Sequence, residues 1–229
     1  MITLVIFDPD DTLIPEIDYI KSGFKEVAKY FESNYEFDNA YDELFNLFKK
    51  DKKLVFNRYL DAKGIKYSQD DIHKIVDIYK THVPDVDFYP DVMPTVSYLK
   101  MNGIKGAIVT DGTYKIQKLK TDVVNAKDYF DTIIYTDELG KEFWKPNPKA
   151  FELLKENYDF DYSQMIYVGD NPQKDFYISE IYPIHTVRVM RDDAIYEKEK
   201  YLDDVEEEYR INDFSDLWSI IEDLQETTD

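Results

Sequence analysis

Four short stretches of this chain gather acids, hydroxyls and a lysine in patterns that could do chemistry. Asp8-Pro9-Asp10-Asp11-Thr12-Leu13 sets Asp8 and Asp10 two residues apart. Two carboxylates so placed can share a hard cation, or divide the work of nucleophile and acid/base. Thr110-Asp111-Gly112 offers a hydroxyl and free backbone N–H groups ahead of a helix, the parts of an anion site. Lys145-Pro146-Asn147-Pro148 pins a lysine by neighbouring prolines ahead of a helix, where it could neutralise a phosphate together with a nucleophile. Gly169-Asp170-Asn171-Pro172-Gln173-Lys174-Asp175 spaces two carboxylates, Asp170 and Asp175, five residues apart, a set suited to magnesium. Taken singly, each is also what an acidic turn, an N-cap or a surface lysine looks like.

The elements around these stretches raise their value. Ile2–Phe7 is short, apolar and β-branched, and it stops at Asp8, as a buried parallel strand does. Lys105–Val109 ends at Thr110, Thr132–Thr136 follows it, Met165–Val168 ends at Gly169-Asp170, and Thr186–Met190 reads as a further strand. Helices are expected over Val92–Met101, Tyr114–Asp122, Pro148–Asn157, Asp175–Ile181 and Phe214–Leu224. Strand–helix alternation of this kind predicts a Rossmann-like parallel sheet with helices on both faces, an α/β fold. Functional groups in such sheets gather at the carboxyl ends of the strands, and the four stretches are expected at four strand ends.

Residues 16–83 break the alternation. Phe24, Val27, Ala28 and Phe31 recur at helical steps, as do Leu44, Leu47 and Phe48, then Ile72, Ile75, Val76 and Tyr79. Gly64 reads as a helix stop and Ser68 as a new N-cap. The expected organisation is an α/β core over 1–15 and 84–229, interrupted after its first strand by an all-helical insert over 16–83. The acid- and lysine-rich stretch Asp192–Glu208 is expected to be a solvated loop or an exposed helix.

Composition excludes several functions. A formal charge of −20 repels nucleic-acid backbones and anionic membrane surfaces, so neither is an expected partner. The same field repels a phosphorylated substrate, so a phosphate site here needs local positive charge. The absence of cysteine rules out disulfides, thiolate chemistry and sulfur-ligated zinc. His73, His82 and His185 lie far apart and lack metal-ligand spacing, so surface or packing roles are expected. Ile2–Phe7 is too short for a signal peptide or a membrane span, which gives a cytoplasmic protein as the expectation. Nothing in the pattern indicates an oligomeric state.

The order and spacing of the four stretches resemble the haloacid dehalogenase (HAD) superfamily, whose motifs run Asp-x-Asp-x-Thr, Ser/Thr, Lys and Gly-Asp-x-x-x-x-Asp. Tyr89-Pro90-Asp91-Val92, Tyr129-Phe130-Asp131 and Lys145-Pro146-Asn147-Pro148 with Phe151 resemble the subgroup carrying a helical cap after the first motif. The resemblance implies a magnesium-dependent phosphoric monoester hydrolase acting on a small phosphorylated metabolite. It implies Asp8 as the nucleophile that forms an aspartyl-phosphate, and Asp10 as the acid/base. Thr110 and N–H groups near it, including that of Asp111, would hold phosphate oxygens, with Lys145 pairing Asp8 and the phosphate. Mg²⁺ would be held by Asp8, the Asp10 backbone carbonyl and Asp170, with Asp175 beside Lys145 or bound water. The cap would select the substrate, and its basic stretch Lys52, Lys53, Asn57 and Arg58 supplies the candidate contacts Asn57 and Arg58.

Pro9 departs from the family pattern, because it has no N–H to offer a phosphoryl oxygen beside the nucleophile. That leaves a weakly active or non-catalytic binding protein as one alternative and a phosphomutase of the same family as another. Haloacid dehalogenation is disfavoured, since it needs neither Asp10 nor Asp170.

Overall fold

In the computed structural model, residues 1–35, 37–195 and 199–226 are described. The chain divides into two compact units, Met1–Ile17 with Val86–Asp229, and Asp18–Asp85.

The first unit is built on six parallel strands: β1 (Leu4–Phe7), β2 (Lys105–Thr110), β3 (Thr132–Tyr135), β4 (Met165–Gly169), β5 (His185–Val189) and β6 (Tyr209–Ile211). They lie in the order β3-β2-β1-β4-β5-β6, so the chain builds outward from β1 on one side and then crosses to the other. β1 is buried on both faces, and its alternating side chains divide between two cores. Val5 and Phe7 pack with Val92, Val96 and Leu99 of one helix and Phe214, Leu217 and Ile221 of another. Leu4 and Ile6 pack on the opposite face with Ala150, Phe151, Leu154 and Ile178. The helices concerned are Val92–Met101 and Phe214–Glu226 on the first face, and Lys149–Tyr158 and Ile178–Ile181 on the second.

In chain order, α1 (Glu16–Tyr35), α2 (Ala40–Lys50), α3 (Val55–Ala62) and α4 (Gln69–Thr81) precede α5 (Val92–Met101), α6 (Tyr114–Val123), α7 (Lys149–Tyr158), α8 (Ile178–Ile181) and α9 (Phe214–Glu226). The second unit consists of most of α1 with α2–α4. Its interior is aromatic. Phe24 meets Phe48, Phe56 and Tyr79 with ring centroids 5.7–5.9 Å apart, and Phe31 stacks on Tyr59 at 4.8 Å. α3 ends at Gly64, which adopts a positive φ of 68°. Ser68 caps α4 through a capping box with Asp71. His82 is buried and bonds Ser22 Oγ and the Tyr79 carbonyl, a packing role.

Three elements differ from expectation. The helix expected over Asp175–Ile181 shrinks to Ile178–Ile181, because the Asp175 carboxylate is engaged elsewhere and residues 170–177 form turns around it. The three-residue edge strand β6 was not anticipated. Within Asp192–Glu208, residues 196–198 lie outside those described, and part of the rest is anchored rather than solvated. Tyr201 accepts from Arg188 and Arg210, and donates to Glu207, whose side chain is 3% exposed. Among the described residues, no helix is long and apolar enough to cross a membrane.

Candidate active site

β1 delivers Asp8 just past its last residue, and the Asp8 N–H still bonds the Val168 carbonyl of β4 at 2.9 Å. The chain then folds back on itself: the Pro9 carbonyl accepts from Leu13 and Ile14 N–H at 2.9 and 2.8 Å, and Asp11 takes a positive φ of 50°. Asp11 clasps this turn, accepting from the N–H groups of Glu16 and Ile195. Burial raises its pKa to about 6.

β2 ends in Thr110 and β4 in Gly169, so Asp8, Thr110 and Asp170 arrive from three adjacent strands. This is the place where the strand order reverses, and where such sheets bind ligands. Lys145 reaches the same point from the segment before α7. Its ammonium touches Asp8 Oδ1, the Tyr167 hydroxyl at 2.6 Å and Asp175 Oδ1 at 2.9 Å, with its side chain 1% exposed. Tyr167 also donates to Asp175 Oδ1 at 2.9 Å, and the Asn171 N–H donates to Asp175 Oδ2 at 2.9 Å. Asp175 thereby comes so close to Gly169 that an added Cβ there would lie 2.5 Å from its Oδ2, which is why this strand end needs glycine.

Burial pulls the Lys145 ammonium toward neutrality, but Asp175, Asp8 and Asp111 outweigh it and hold it charged, well above the ordinary lysine value. Burial also opposes ionisation of Asp175, yet Lys145 and Lys174 keep it below the usual carboxylate range. Asp8 is different. Burial dominates over Lys145 and Lys174 and raises it to about 6. Asp170 lies well above the ordinary range, from burial and then from the neighbouring Asp175 and Asp8.

Asp170 is the uncompensated acid. Its Oδ2 is buried without a hydrogen-bond partner among the described residues, while its backbone carbonyl is held by Arg188 Nε at 3.1 Å. Carboxylate oxygens of Asp8, Asp170 and Asp175 lie within 4.8 Å of one another. A buried, unpaired carboxylate among other carboxylates is costly unless a cation joins it, so this donor set of oxygen ligands fits a hard divalent ion such as Mg²⁺.

Asp10 faces another group of partners. It accepts from Gln117 Nε2 at 2.7 Å and from Lys120 Nζ at 2.8 Å. Lys120 is buried and also pairs with Glu16, while Gln117 donates to Thr110 Oγ1 at 2.6 Å, linking the two sequence candidates. Burial works against ionisation of Asp10, and Lys120 and Gln117 overcome it, leaving its pKa lowered. The Asp111 side chain ties neighbouring segments together, accepting from Thr136 Oγ1 at 2.7 Å and from the Lys145 backbone N–H at 3.1 Å.

Gln117, Lys120 and Lys174 were not anticipated as site residues. Gln117 and Lys120 lie with Thr121 on the buried face of α6, where polar residues are read from sequence as an exposed face. Lys174 lies inside the fourth motif, yet sequence alone gives it no direction. Its Nζ is 3.7 Å from Asp8 Oδ1 and 3.8 Å from Asp111 Oδ2. Asn57 and Arg58 belong to the helical unit. Arg58 spends its guanidinium on the carbonyls of Leu47, Asp51 and Lys53 at the end of α2, and so acts there as a structural cap. Asn57 is 3.5 Å from the Tyr67 hydroxyl.

Residues 5–189 match the haloacid dehalogenase-like hydrolases as a family. This chain belongs to that family. It is 27% identical over 236 residues to a glyceraldehyde 3-phosphate phosphatase of Methanocaldococcus jannaschii, covering 98% of this chain and 99% of that one. It is also 27% identical to a ribulose-1,5-bisphosphate 5-phosphatase of Halopiger xanaduensis, over 76% of this chain and 79% of the relative. Among solved structures, a HAD hydrolase of Bacillus subtilis bound to magnesium superposes with a TM-score of 0.69 at 16% identity, covering 96% of this chain and 98% of that one. The family relationship makes the chain a hydrolase, and the fold likeness agrees with its six-stranded parallel core.

Proposed function

We propose that this HAD hydrolase is a magnesium-dependent phosphatase that removes phosphate from a small metabolite through an aspartyl-phosphate on Asp8. The observation that carries the reading is the meeting at adjacent strand ends of Asp8, held against Lys145, with Asp170, whose buried Oδ2 lacks a partner among the described residues.

Asp8 attacks phosphorus as the bond to the leaving oxygen breaks, and Asp10 supplies the proton that oxygen needs. Water then attacks the aspartyl-phosphate, Asp10 takes a proton from it, and free Asp8 and inorganic phosphate result. The arrangement around Asp10, kept ionised by Lys120 and Gln117, suits this second half, where a base is required. Thr110 and backbone N–H groups beside it orient phosphate oxygens, and Lys145 keeps Asp8 aligned through its fixed contacts to Tyr167 and Asp175. Asp8, Asp170 and the Asp10 carbonyl would hold Mg²⁺, which when bound supplies positive charge against both the carboxylate and the phosphate. Arg188 steadies Asp170 through its carbonyl. The helical insert is assigned the choice of substrate, and the named substrates of the two phosphatase relatives make phosphorylated sugars the first compounds to try.

The test is phosphate release from p-nitrophenyl phosphate. Turnover is expected with Mg²⁺, abolished by EDTA, restored by added Mg²⁺, and absent in a folded Asp8→Asn protein. Metal-dependent hydrolysis by Asp8→Asn would sink the covalent mechanism.

A further inference from the structure

Lys145 stands against the nucleophile with its donors already engaged. An ammonium has three N–H donors and no acceptor. Those of Lys145 are matched by Asp8 Oδ1, the Tyr167 hydroxyl at 2.6 Å and Asp175 Oδ1 at 2.9 Å. Its side chain is 1% exposed, so engaging a phosphoryl oxygen would mean breaking a buried contact.

Lys174 is the opposite case. It reaches the same Asp8 oxygen at 3.7 Å and Asp111 Oδ2 at 3.8 Å, both beyond hydrogen-bond range. Among the described residues its ammonium makes no hydrogen bond, and its side chain remains 26% exposed. A charged group at the nucleophile, accessible and with uncommitted donors, is what an incoming phosphate dianion requires. The need is acute here. Asp8, Asp10, Asp170 and Asp175 concentrate negative charge at the site, and Pro9 contributes no backbone N–H beside the nucleophile.

We propose that Lys174 is a catalytic residue that donates to the transferring phosphoryl group, in addition to Lys145. This rests on the phosphatase reading above. It adds a substrate-facing positive charge from the fourth motif to that of the lysine of the third.

The experiment compares Lys174→Met, which keeps the length and removes the charge, with Lys174→Arg, which keeps the charge. Both are measured as full-length protein with saturating Mg²⁺, using p-nitrophenyl phosphate for turnover and inorganic phosphate for binding by calorimetry. Lys174→Met is expected to lose about a hundredfold in kcat, to bind inorganic phosphate at least about tenfold more weakly, and to need no more Mg²⁺ for half-activation. Lys174→Arg should recover most of both losses. If Lys174→Met does not fold, Lys174→Gln takes its place. Turnover within about threefold of wild type, or a loss erased by raising Mg²⁺, would overturn the proposal, the latter by showing that the lysine only fills the metal's place. If wild-type protein releases no phosphate, the phosphatase reading fails on its own. The calorimetry then still decides the lysine, because unaltered phosphate binding by Lys174→Met, or none by wild type, overturns its role.

Discussion

Both units of this molecule bury apolar cores, but only one adds a cluster of buried charge. The α/β unit buries Asp8, Asp11, Lys120, Lys145, Asp170, Asp175, Arg188 and Arg191, most of them beside the carboxyl ends of β1, β2 and β4. The helical unit buries Phe24, Phe31, Tyr59, Leu44 and Ile75, and apart from tyrosines its described buried polar side chains are Ser22 and His82. Buried charge costs stability unless fully paired, whereas buried aromatic surface supplies it. The α/β unit therefore sets the stability of its two apolar cores against a cost at a single edge, and the helical unit carries no such cost. A fold tolerates such concentrated cost where chemistry needs it, which is why the asymmetry marks the site as firmly as the motifs do.

The sharpest test of this contrast sets one substitution from each unit side by side. Phe31 is fully buried and stacked on Tyr59, so Phe31→Ala should cost about 3–5 kcal/mol, a shift in the folding equilibrium of more than a hundredfold. Asp8→Asn, though it should end turnover, leaves Lys145 with Tyr167 and Asp175 and should cost far less, or even stabilise the metal-free protein. Urea unfolding followed by tryptophan fluorescence and circular dichroism measures both. Equal destabilisation by the two would break the contrast.

A second test concerns the unpaired acid edge. Asp8 is raised to about 6 and Asp170 stands well above its ordinary value, both chiefly from burial. A cation binds their ionised forms, so protons compete with it. Mg²⁺ affinity should therefore hold above the raised pKa values and weaken as pH falls through them. From Asp8 alone the loss is about tenfold at pH 5, one unit below its pKa. Calorimetric titration with Mg²⁺ at pH 5 and pH 7.5 checks this, and equal affinities would place the cation elsewhere.

The same asymmetry explains what the sequence could and could not tell. Asp8, Thr110 and Asp170 were legible because each follows a run of apolar strand residues, and the chain marks that transition locally. Ser68 and Gly64 were legible for the same reason, since a cap is set by residues beside it. Gln117 and Lys120 needed the third dimension: they reach Asp10 from 107 and 110 residues away, and nothing near them names that partner. The short α8 was hidden because Asp175 satisfies Asn171, Tyr167 and Lys145 instead of starting a helix. β6 was missed because three residues, Tyr209–Ile211, are too few to show alternation. The carbonyls that hold Arg58 were likewise hidden, since they lie five and eleven residues away and no local pattern names them.

Pro9 gives the smallest expected effect and the finest probe of the acid edge. From sequence alone, a missing N–H beside the nucleophile implies a loss of about a hundredfold, so Pro9→Leu ought to recover up to that in kcat. If Lys174 already supplies donors at the same place, the recovery shrinks to about threefold or less, since a second donor adds little to a group already satisfied. The turn itself should survive, because the hydrogen bonds to Leu13 and Ile14 use the Pro9 carbonyl, which leucine retains. A stability loss of about half a kcal/mol is expected from the freer unfolded chain. The two positions should also couple: in a Lys174→Met background, Pro9→Leu should gain about tenfold, more than it gains alone. A large gain from Pro9→Leu with Lys174 intact would show that the lysine does not stand in for the missing donor. No gain in either background would show that an N–H at position 9 does not reach the phosphoryl group in this protein, and that Pro9 costs it nothing.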